Sequence, residues 1–200
     1  MNRKKFLLGA SMAAFSFSVV GSVIKQEDDR FTGDCQTTKD ILGPYYRPDA
    51  PLRQDMLYEG LPGSRIRVRG KVYSGDCHTP LKDALVEIWH CDTKGYYDND
   101  TSAYLHRAGW KSDANGDYAF QTILPGKYLN GREFRPAHIH FRVTAAGHKE
   151  LVSQIYFKGD PHIAADRWAS AKAAQHRILE IFPENEFSDL TVQFDIYLNT

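Results

Sequence analysis

Alternating polar and apolar residues are the clearest pattern along this chain. In the segment SRIRVRGKVYS, apolar Ile66, Val68 and Val72 take alternate positions, and Arg or Lys occupies most positions between them. A period of two residues is typical of a β-strand with one buried face. Strand patterns recur in DALVEIWHC, DYAFQTI, HIHFRVTAA, ELVSQIYFKGD and LTVQFDIYLNT. The sequence therefore predicts a mainly β protein with a strand in each of these segments.

Turn signals separate the predicted strands. Asn115-Gly116 is the strongest of them and predicts a hairpin ahead of DYAFQTI, while Gly147-His148 joins two later strands. The stretch ILGPYYRPDAPLRQDM, rich in Pro, Gly and Tyr, predicts an ordered but irregular arm before the first strand. Repeated short strands with turns between them predict an antiparallel β-sandwich.

One segment has helical composition. Residues 164–182, AADRWASAKAAQHRILEIF, predict a single helix near the C-terminus. Its apolar stripe contains Trp168, Ala171, Ile178 and Ile181.

The N-terminal residues form a separate unit. Cationic residues at positions 3–5 precede an apolar, small-residue run at 6–24, which is the pattern of an export signal. Gly and Ser interrupt the run, so a retained membrane anchor is the less favoured interpretation. We therefore predict an export segment at 1–24, a flexible linker at 25–40 and one folded domain at 41–200. The mature protein is expected to be periplasmic or secreted, with no stable membrane span after processing.

Composition limits the classes of partner. The chain has 200 residues, with 25 Lys plus Arg and 25 Asp plus Glu, so no net field favours nucleic acid. We expect a small-molecule partner. Three cysteines in an exported chain permit one disulfide and leave one thiol, and the sequence leaves the pairing open among Cys35, Cys77 and Cys91. None of them belongs to a C-x2-C pair, which argues against a zinc site.

The stretch RPAHIHF contains the first candidate for chemistry. Successive side chains on a strand point to opposite faces, so His138 and His140 share one face while Ile139 and Phe141 take the other. Two histidines arranged in this way can hold a metal ion from one strand. An ordinary pair of hydrogen-bonded histidines is the competing interpretation.

Two tyrosines accompany the histidine pair. Tyr128 ends the segment ILPGKY, before the predicted strand with His138, and Tyr97 closes WHCDTKGYY, where a strand runs into a loop. Functional residues concentrate on loops held by a rigid scaffold. The chain has 11 tyrosines, however, so spacing alone does not separate a functional tyrosine from a packed one.

The order of several motifs resembles a known family. The segments GPYYRPDAP, LKDALVEIWHCDTKGYYD, SDANGDYAFQTILPGKY, RPAHIHF, SQIYFKGDP and FDIYL follow one another as in the intradiol ring-cleavage dioxygenases. The chain is most similar to the iron-bearing subunit of protocatechuate 3,4-dioxygenase and its short exported relatives. This resemblance implies a β-sandwich of the intradiol dioxygenase core type, a non-haem Fe(III) cofactor, and an assembly that is either a homo-oligomer or includes a partner subunit.

The resemblance also implies the metal ligands. Tyr97 is preferred to Tyr96 because the family pattern is G-x-Y after Gly95. A phenol, with an ordinary pKa of about 10, ionises at neutral pH only where a cation stabilises the phenolate. Zinc, copper and nickel accept similar ligands, so the resemblance is what selects iron. The four implied ligands are Tyr97, Tyr128, His138 and His140.

Catalytic roles follow from the same resemblance. Arg135 matches the family arginine beside the bound catecholate, Gln154 matches a supporting glutamine, and Tyr128 matches the ligand that accepts a proton when substrate binds. The implied substrates are a small aromatic diol and O2. The implied reaction cleaves the ring between the two hydroxyls and inserts both oxygen atoms, giving a cis,cis-muconate-type product.

Two alternatives stay open at this level. His90, Asp98 or Asp100 could be metal ligands, although we expect His90 to be packed and locally hydrogen-bonded. We expect His106, His148 and His162 to be solvated, since they lie in loop-like segments. The competing function is that of a non-enzymatic, transthyretin-like binding module.

Overall fold

The computed structural model describes residues 25–27, 30–32, 35–184 and 189–200. The predicted export segment lies outside this part of the chain. Within the described residues, no helix has both the length and the apolar composition needed to cross a membrane. The first two strands, β1 (Lys25–Glu27) and β2 (Arg30–Thr32), pair with each other.

Short strands make up most of the domain. Among the described residues, the one helical element is a 3₁₀-helix at Lys172–Arg177. The remaining strands, in chain order, are β3 (Arg65–Ser74), β4 (Leu85–Trp89), β5 (Arg107–Lys111), β6 (Asp117–Ile123), β7 (Tyr128–Asn130), β8 (Glu133–Arg135), β9 (His138–Thr144), β10 (Leu151–Phe157), β11 (Ile178–Leu179), β12 (Phe182–Pro183), β13 (Leu190–Gln193) and β14 (Ile196–Leu198).

Two sheets face each other across the main core. One has the strand order β11-β10-β9-β4-β5; in the other, β3 is flanked by β6 on one edge and by β13 and β14 on the other. The prediction of a mainly β sandwich is confirmed. Its sheets are mixed and not purely antiparallel, because β11 pairs in parallel with β10, and β13 and β14 pair in parallel with β3. Long connections return these segments to their partners in the parallel direction.

Strand alternation fills the core from both sheets. Ile66, Val68 and Val72 of β3 belong to one buried apolar cluster with Ile139 and Phe141 of β9. The arm before β3 is ordered and irregular, as predicted, and it packs against the sheet that contains β9. In this arm, Arg53 N donates to Gly109 O of β5 at 3.0 Å. The Tyr46 ring, also in the arm, packs edge-on against Trp89 with 5.0 Å between the ring centroids.

The predicted hairpin at Asn115-Gly116 is a turn between sheets. Gly116 N donates to Asp113 O at 3.0 Å, so the turn itself is present. The strands on either side do not pair, because β5 pairs with β4 and β6 with β3. The turn therefore carries the chain from one layer of the sandwich to the other.

The predicted last strand is divided in two by a close backbone approach. Phe194 N donates to Arg69 O at 2.8 Å, and Asp195 Oδ1 accepts from Lys71 N at 3.0 Å. A Cβ atom on Gly70 would lie 2.0 Å from Phe194 O. Glycine at this position lets the two backbones meet, and the ladder is interrupted between β13 and β14.

The predicted helix over 164–182 is wrong. The segment forms turns, then the 3₁₀-helix, then β11. The Asp166 carboxylate accepts from Trp168 N and Ala169 N, and such local bonds compete with helical backbone pairing. Ala171, before the 3₁₀-helix, offers no side-chain cap. Helical composition is therefore overridden by side-chain bonds.

A disulfide ties the segment before the domain to the turn that follows β3. Cys35 bonds to Cys77, with 5.8 Å between their Cα atoms, and Cys91 is free and buried. Asp40 N donates to Val152 O at 2.9 Å. Residues 35–40, which belong to the predicted linker, are thus bound to the domain.

Replacing both Cys35 and Cys77 with Ser should lower the free energy of unfolding by about 3–4 kcal/mol, because the bond closes a loop across a sequence separation of 42 residues in the unfolded chain. Urea unfolding measures the loss. A reductant should lower the free energy of unfolding of the wild type and leave that of the double variant unchanged. Equal urea midpoints for wild type and double variant would contradict the assignment.

Candidate metal centre

The candidate site lies where β9 begins, on the sheet face that points away from the main core. His138 and His140 are 0% and 1% exposed. Strand β9 pairs with β10 on one side and β4 on the other, so its register is held from both edges. Trp89 is the β4 partner of His140, and the two rings stack at 4.8 Å. The histidine pair is therefore fixed by the sheet and by an aromatic neighbour.

The hydrogen bonds of the two histidines leave ring nitrogens that can donate a lone pair to a metal ion. His138 Nδ1 lies 2.7 Å from Pro136 O, so this nitrogen carries the hydrogen and Nε2 keeps its lone pair. His138 Nε2 lies 3.3 Å from the Tyr97 hydroxyl. His140 Nδ1 is buried and, among the described residues, has no hydrogen-bond partner. A buried ring nitrogen without a partner is unfavourable unless water, a ligand or a metal-bound tautomer accounts for it.

Tyr97 and Tyr128 complete a ring of four side chains. The centroid separations are 4.9 Å for His138 and His140, 5.6 Å for Tyr128 and His138, and 5.8 Å for the two tyrosines. Tyr97 and His140 are 6.2 Å apart. Tyr96, the alternative to Tyr97, is 72% exposed. The structure therefore brings together the four residues expected to bind metal.

A local turn and the packing of its glycine position the two tyrosines. The Asp92 carboxylate accepts from Lys94 N at 2.8 Å and Tyr96 N at 2.9 Å, which folds the loop just before Tyr97. Gly95 has φ +88°, and a Cβ there would lie 2.6 Å from Lys127 O and 2.9 Å from Tyr128 Cβ. The loop that carries Tyr97 thus packs directly on the backbone that carries Tyr128.

Burial controls the protonation of the four side chains. It lowers the pKa of His138 to about 4, and burial followed by the effect of His138 lowers the pKa of His140 well below its ordinary value. Both imidazoles are therefore neutral at pH 7. Burial raises the pKa of Tyr97 and also that of Tyr128, where Arg135 opposes the rise. Without a cation the phenols stay protonated, so this donor set fits a metal ion that would ionise them.

Arg135 and Gln154, the predicted catalytic residues, meet beside Tyr128. Strand pairing sets Arg135 opposite Tyr128 in the β7–β8 hairpin. Arg135 Nη2 donates to Gln154 Oε1 at 3.1 Å, and Gln154 Nε2 donates to Ile41 O at 2.8 Å. Burial alone would lower the pKa of Arg135, but the hydrogen bond and the charge of Asp166 oppose burial, and the pKa of Arg135 is raised. Arg135 is therefore a permanent buried cation next to the four rings.

The alternative ligands are engaged elsewhere. His90 Nδ1 lies 2.7 Å from Cys91 O and its Nε2 lies 2.8 Å from Thr122 Oγ1. Its packed environment matches the prediction, and burial, with His106 as the next cause, lowers the pKa of His90 to about 3. The Asp98 carboxylate accepts from Thr101 and Leu105 N and organises its own loop. Asp100 is exposed.

His106 corrects one prediction. It was expected to be solvated, but it is 3% exposed. His106 O accepts from His90 N at 3.2 Å, which extends the pairing of β4 and β5 by one residue and draws His106 inward. His148 and His162 are half-buried near the surface. Across the described chain, no cluster of three or more His, Cys, Asp or Glu side chains could hold a metal ion, so a metal here needs the tyrosines.

Several neighbours of the site were not singled out from the sequence. Tyr45 stacks on Tyr97 at 4.3 Å, although it lies within the motif GPYYRPDAP. Trp168 was placed on the apolar stripe of the predicted helix, and its ring centroid lies 4.4 Å from the Arg135 guanidinium carbon. Asp166 pairs with Arg135 at 2.8 Å. No local pattern signals Asp166, because its partner is distant in sequence.

Comparison with known proteins identifies the family. A family model described as Dioxygenase, of the Dioxygenase_C type, matches residues 41–200. Catechol 1,2-dioxygenase 2 of Acinetobacter lwoffii is 35% identical over 150 residues, which are 65% of this chain and 54% of that protein. The protocatechuate 3,4-dioxygenase beta chain of Burkholderia cepacia is 33% identical over 175 residues, 78% of this chain and 73% of that one. The chain belongs to the intradiol ring-cleavage dioxygenases.

A solved structure of this family has the same fold. The dioxygenase domain of a dioxygenase carbohydrate-binding protein fusion from Streptomyces sp. SirexAA-E is 28% identical, with a TM-score of 0.71. The match covers 82% of this chain and 99% of that domain. By contrast, this chain spans 54% of the A. lwoffii relative and 62% of a Rhodococcus opacus chlorocatechol 1,2-dioxygenase. The shared unit of these intradiol dioxygenases is therefore the sandwich that carries the candidate site.

Replacing Gly95 with Ala should separate the two tyrosines. Gly147→Ala is a matched control, because Gly147 also has a positive φ, +75°, but a Cβ there meets nothing within 4 Å. We expect Gly95→Ala to lower the free energy of unfolding by about 1–3 kcal/mol more than the control, since it adds a backbone clash to the same strain. It should also weaken metal binding at the four side chains, measured by metal titration. Equal losses and equal affinities in the two variants would contradict the packing described here.

Proposed function

We propose that this protein is a non-haem, Fe(III)-dependent dioxygenase that cleaves a catechol-type ring between its two hydroxyls. Both atoms of O2 enter the product, which is of the cis,cis-muconate type. The observation that carries the proposal is the convergence of His138, His140, Tyr97 and Tyr128, with the Arg135 cation beside them, in an intradiol dioxygenase fold.

The donor set supports ferric iron. Tyr97, Tyr128, His138 and His140 would hold the ion as two phenolates and two neutral imidazoles. Two phenolates offset two of the three charges of Fe(III), which favours this oxidation state over Fe(II). When bound, iron supplies the Lewis acidity that holds the substrate oxygens and makes the aromatic ring reactive towards O2.

Tyr128 is the residue proposed to take a substrate proton. It is half-buried at the start of the β7–β8 hairpin, directly across the strand pair from Arg135, and Arg135 opposes the rise that burial causes in the Tyr128 pKa. A catechol must lose protons to bind as an anion, and the Tyr128 oxygen is the acceptor proposed for one of them. The Arg135 cation stabilises negative charge at this oxygen before the transfer.

Arg135 is also proposed to stabilise the substrate during the reaction. It is 2% exposed and cannot be deprotonated at physiological pH. A fixed cation in a water-poor site stabilises charge that develops on the ring in the transition state more than charge on the resting substrate. Gln154 accepts from Arg135 and donates to Ile41 O, so it supports this orientation.

The proposed setting is the breakdown of small aromatic diols outside the cytoplasm, in the periplasm or the medium. The Cys35–Cys77 disulfide supports this location, because such bonds persist in oxidising compartments. A homo-oligomer or an assembly with a partner subunit is part of the proposal. The exposed side chains of Leu129 and Phe134 on the β7–β8 hairpin, 58% and 42% accessible, support a protein contact near the site. The transthyretin-like alternative is not favoured, since the chain belongs to an enzyme family.

Aerobic purification of the full chain tests the metal assignment. The protein should contain stoichiometric iron and show a broad visible band from tyrosinate-to-Fe(III) charge transfer. Tyr97→Phe and Tyr128→Phe should lose or shift that band, while Tyr96→Phe, at the exposed neighbour, should keep it. A protein that stays colourless after ferric loading would refute the proposal.

Oxygen uptake tests the reaction. The iron-loaded protein should consume O2 with catechol or protocatechuate and release a product with muconate absorbance. Resorcinol, whose hydroxyls are not adjacent, is the matched negative substrate. Uptake with resorcinol equal to that with the adjacent diols, or no muconate, would contradict intradiol cleavage.

A further inference from the structure

A buried ion pair holds Arg135, the cation beside the candidate site. The side chains of Arg135 and Asp166 are 2% and 3% exposed. Arg135 Nε donates to Asp166 Oδ2 at 2.8 Å, and Arg135 Nη2 lies 3.4 Å from Asp166 Oδ1. Burying two charges is unfavourable unless they are paired with good geometry, so the position of each depends on the other.

Asp166 is itself fixed by the loop that contains it. Its Oδ1 accepts from Trp168 N at 3.0 Å and from Ala169 N at 2.7 Å. The two oxygens therefore divide their partners: Oδ1 mainly binds the loop backbone, and Oδ2 binds Arg135. This division makes the carboxylate a rigid support for the guanidinium.

The remaining contacts of the guanidinium define its orientation. Nη2 donates to Gln154 Oε1 at 3.1 Å and to the Tyr156 hydroxyl at 3.2 Å. The Trp168 ring lies 4.4 Å from the guanidinium carbon. Nη1 takes no part in the bonds to Asp166, Gln154 and Tyr156. Since strand pairing sets Arg135 opposite Tyr128 in the β7–β8 hairpin, we assign the edge that carries Nη1 to the site.

We propose that Asp166 is a positioning residue that orients Arg135, so that the free edge of the guanidinium faces Tyr128 and the substrate anion. This inference rests on the proposed function. The described hydrogen bonds of the Asp166 side chain go to Arg135, Trp168 N and Ala169 N and to none of the four rings, so Asp166 acts through Arg135. Gln154 and Tyr156 cannot replace it, because both accept from Nη2, whereas Nε donates to Asp166.

Asp166→Asn separates the two tasks of this carboxylate. An amide oxygen in place of Oδ1 keeps the bonds to Trp168 N and Ala169 N. The amide N–H groups in place of Oδ2 then face the Arg135 Nε–H donor, so the bond to Nε and the charge pairing are lost, and only the longer contact between Nη2 and the Oδ1 position remains. Asp113→Asn is the matched control, because Asp113 Oδ1 also accepts two backbone N–H groups, Asn115 N at 2.8 Å and Asp117 N at 2.9 Å, in a turn far from Arg135.

The first readout is steady-state catechol cleavage by the iron-loaded variants. We expect Asp166→Asn to lower kcat by about 10- to 100-fold and to change KM by less than about 3-fold, because a misdirected Arg135 stabilises the transition state less. Asp113→Asn should behave as wild type. A wild-type kcat in Asp166→Asn would overturn the positioning role.

The second readout needs no iron and no turnover. In protein labelled with ¹⁵N-arginine, the buried and paired Arg135 Nε–H should exchange slowly with solvent. Asp166→Asn should speed this exchange by about 10-fold or more, reflecting the loss of a charge-assisted bond, and Asp113→Asn should not. Unchanged exchange in Asp166→Asn would show that Asp166 does not hold the guanidinium.

A double-variant cycle separates positioning from general structural damage. If Asp166 acts through Arg135, Arg135→Gln and the double variant Arg135→Gln, Asp166→Asn should have equal kcat values. A further drop of about 10-fold in the double variant would contradict the proposal. This comparison serves even where Asp166→Asn alone fails to fold, because the double variant leaves no unpaired Arg135 charge. A wild type that cleaves no catechol would overturn the proposed function as well, whereas an active wild type with additive losses overturns only the role of Asp166.

Discussion

The alternation of side chains along β9 is the constraint on which both the core and the candidate site depend. Ile139 and Phe141 fill the space between the sheets, and His138 and His140 occupy the opposite face. A shift of one residue in register would exchange the two sets and destroy core and site together. Pairing with β4 and β10 on both edges prevents such a shift. The free energy of packing the core is therefore what positions the imidazoles.

Charge balance is the second constraint, because several ionisable groups are buried around this strand. Arg135 pairs with Asp166, and Arg177 pairs with Asp40 at 2.6 Å, each pair almost fully buried. The Tyr156 hydroxyl lies between the two pairs and donates to Asp40 Oδ2 at 3.0 Å. The disulfide-tethered segment thus contributes to the same polar layer as the candidate catalytic arginine. A rigid polar layer of this kind can hold a cation at a defined place without water.

The alternation of polar and apolar residues predicted the features that depend only on the geometry of a single strand. The alternation of β3 and β9 was sufficient to predict both strands and the shared face of His138 and His140, whereas the approach of Tyr97 and Tyr128 was expected only from the family resemblance. A local side-chain bond explains one error and a contact between distant residues explains another. Asp166 accepts from the backbone of Trp168 and Ala169 in a segment of helical composition, and Gly70 admits the distant backbone that divides the last strand. The alternation of polar and apolar residues reports neither effect.

The central claim is that His138, His140, Tyr97 and Tyr128 form one metal site. A crystal structure of the iron-loaded protein, with iron located by its anomalous scattering, tests this most directly. We expect a single buried iron peak with Nε2 of both histidines and both tyrosine oxygens as its ligands. Iron bound only at surface carboxylates or histidines, with the Tyr97 hydroxyl still hydrogen-bonded to His138 Nε2, would contradict it.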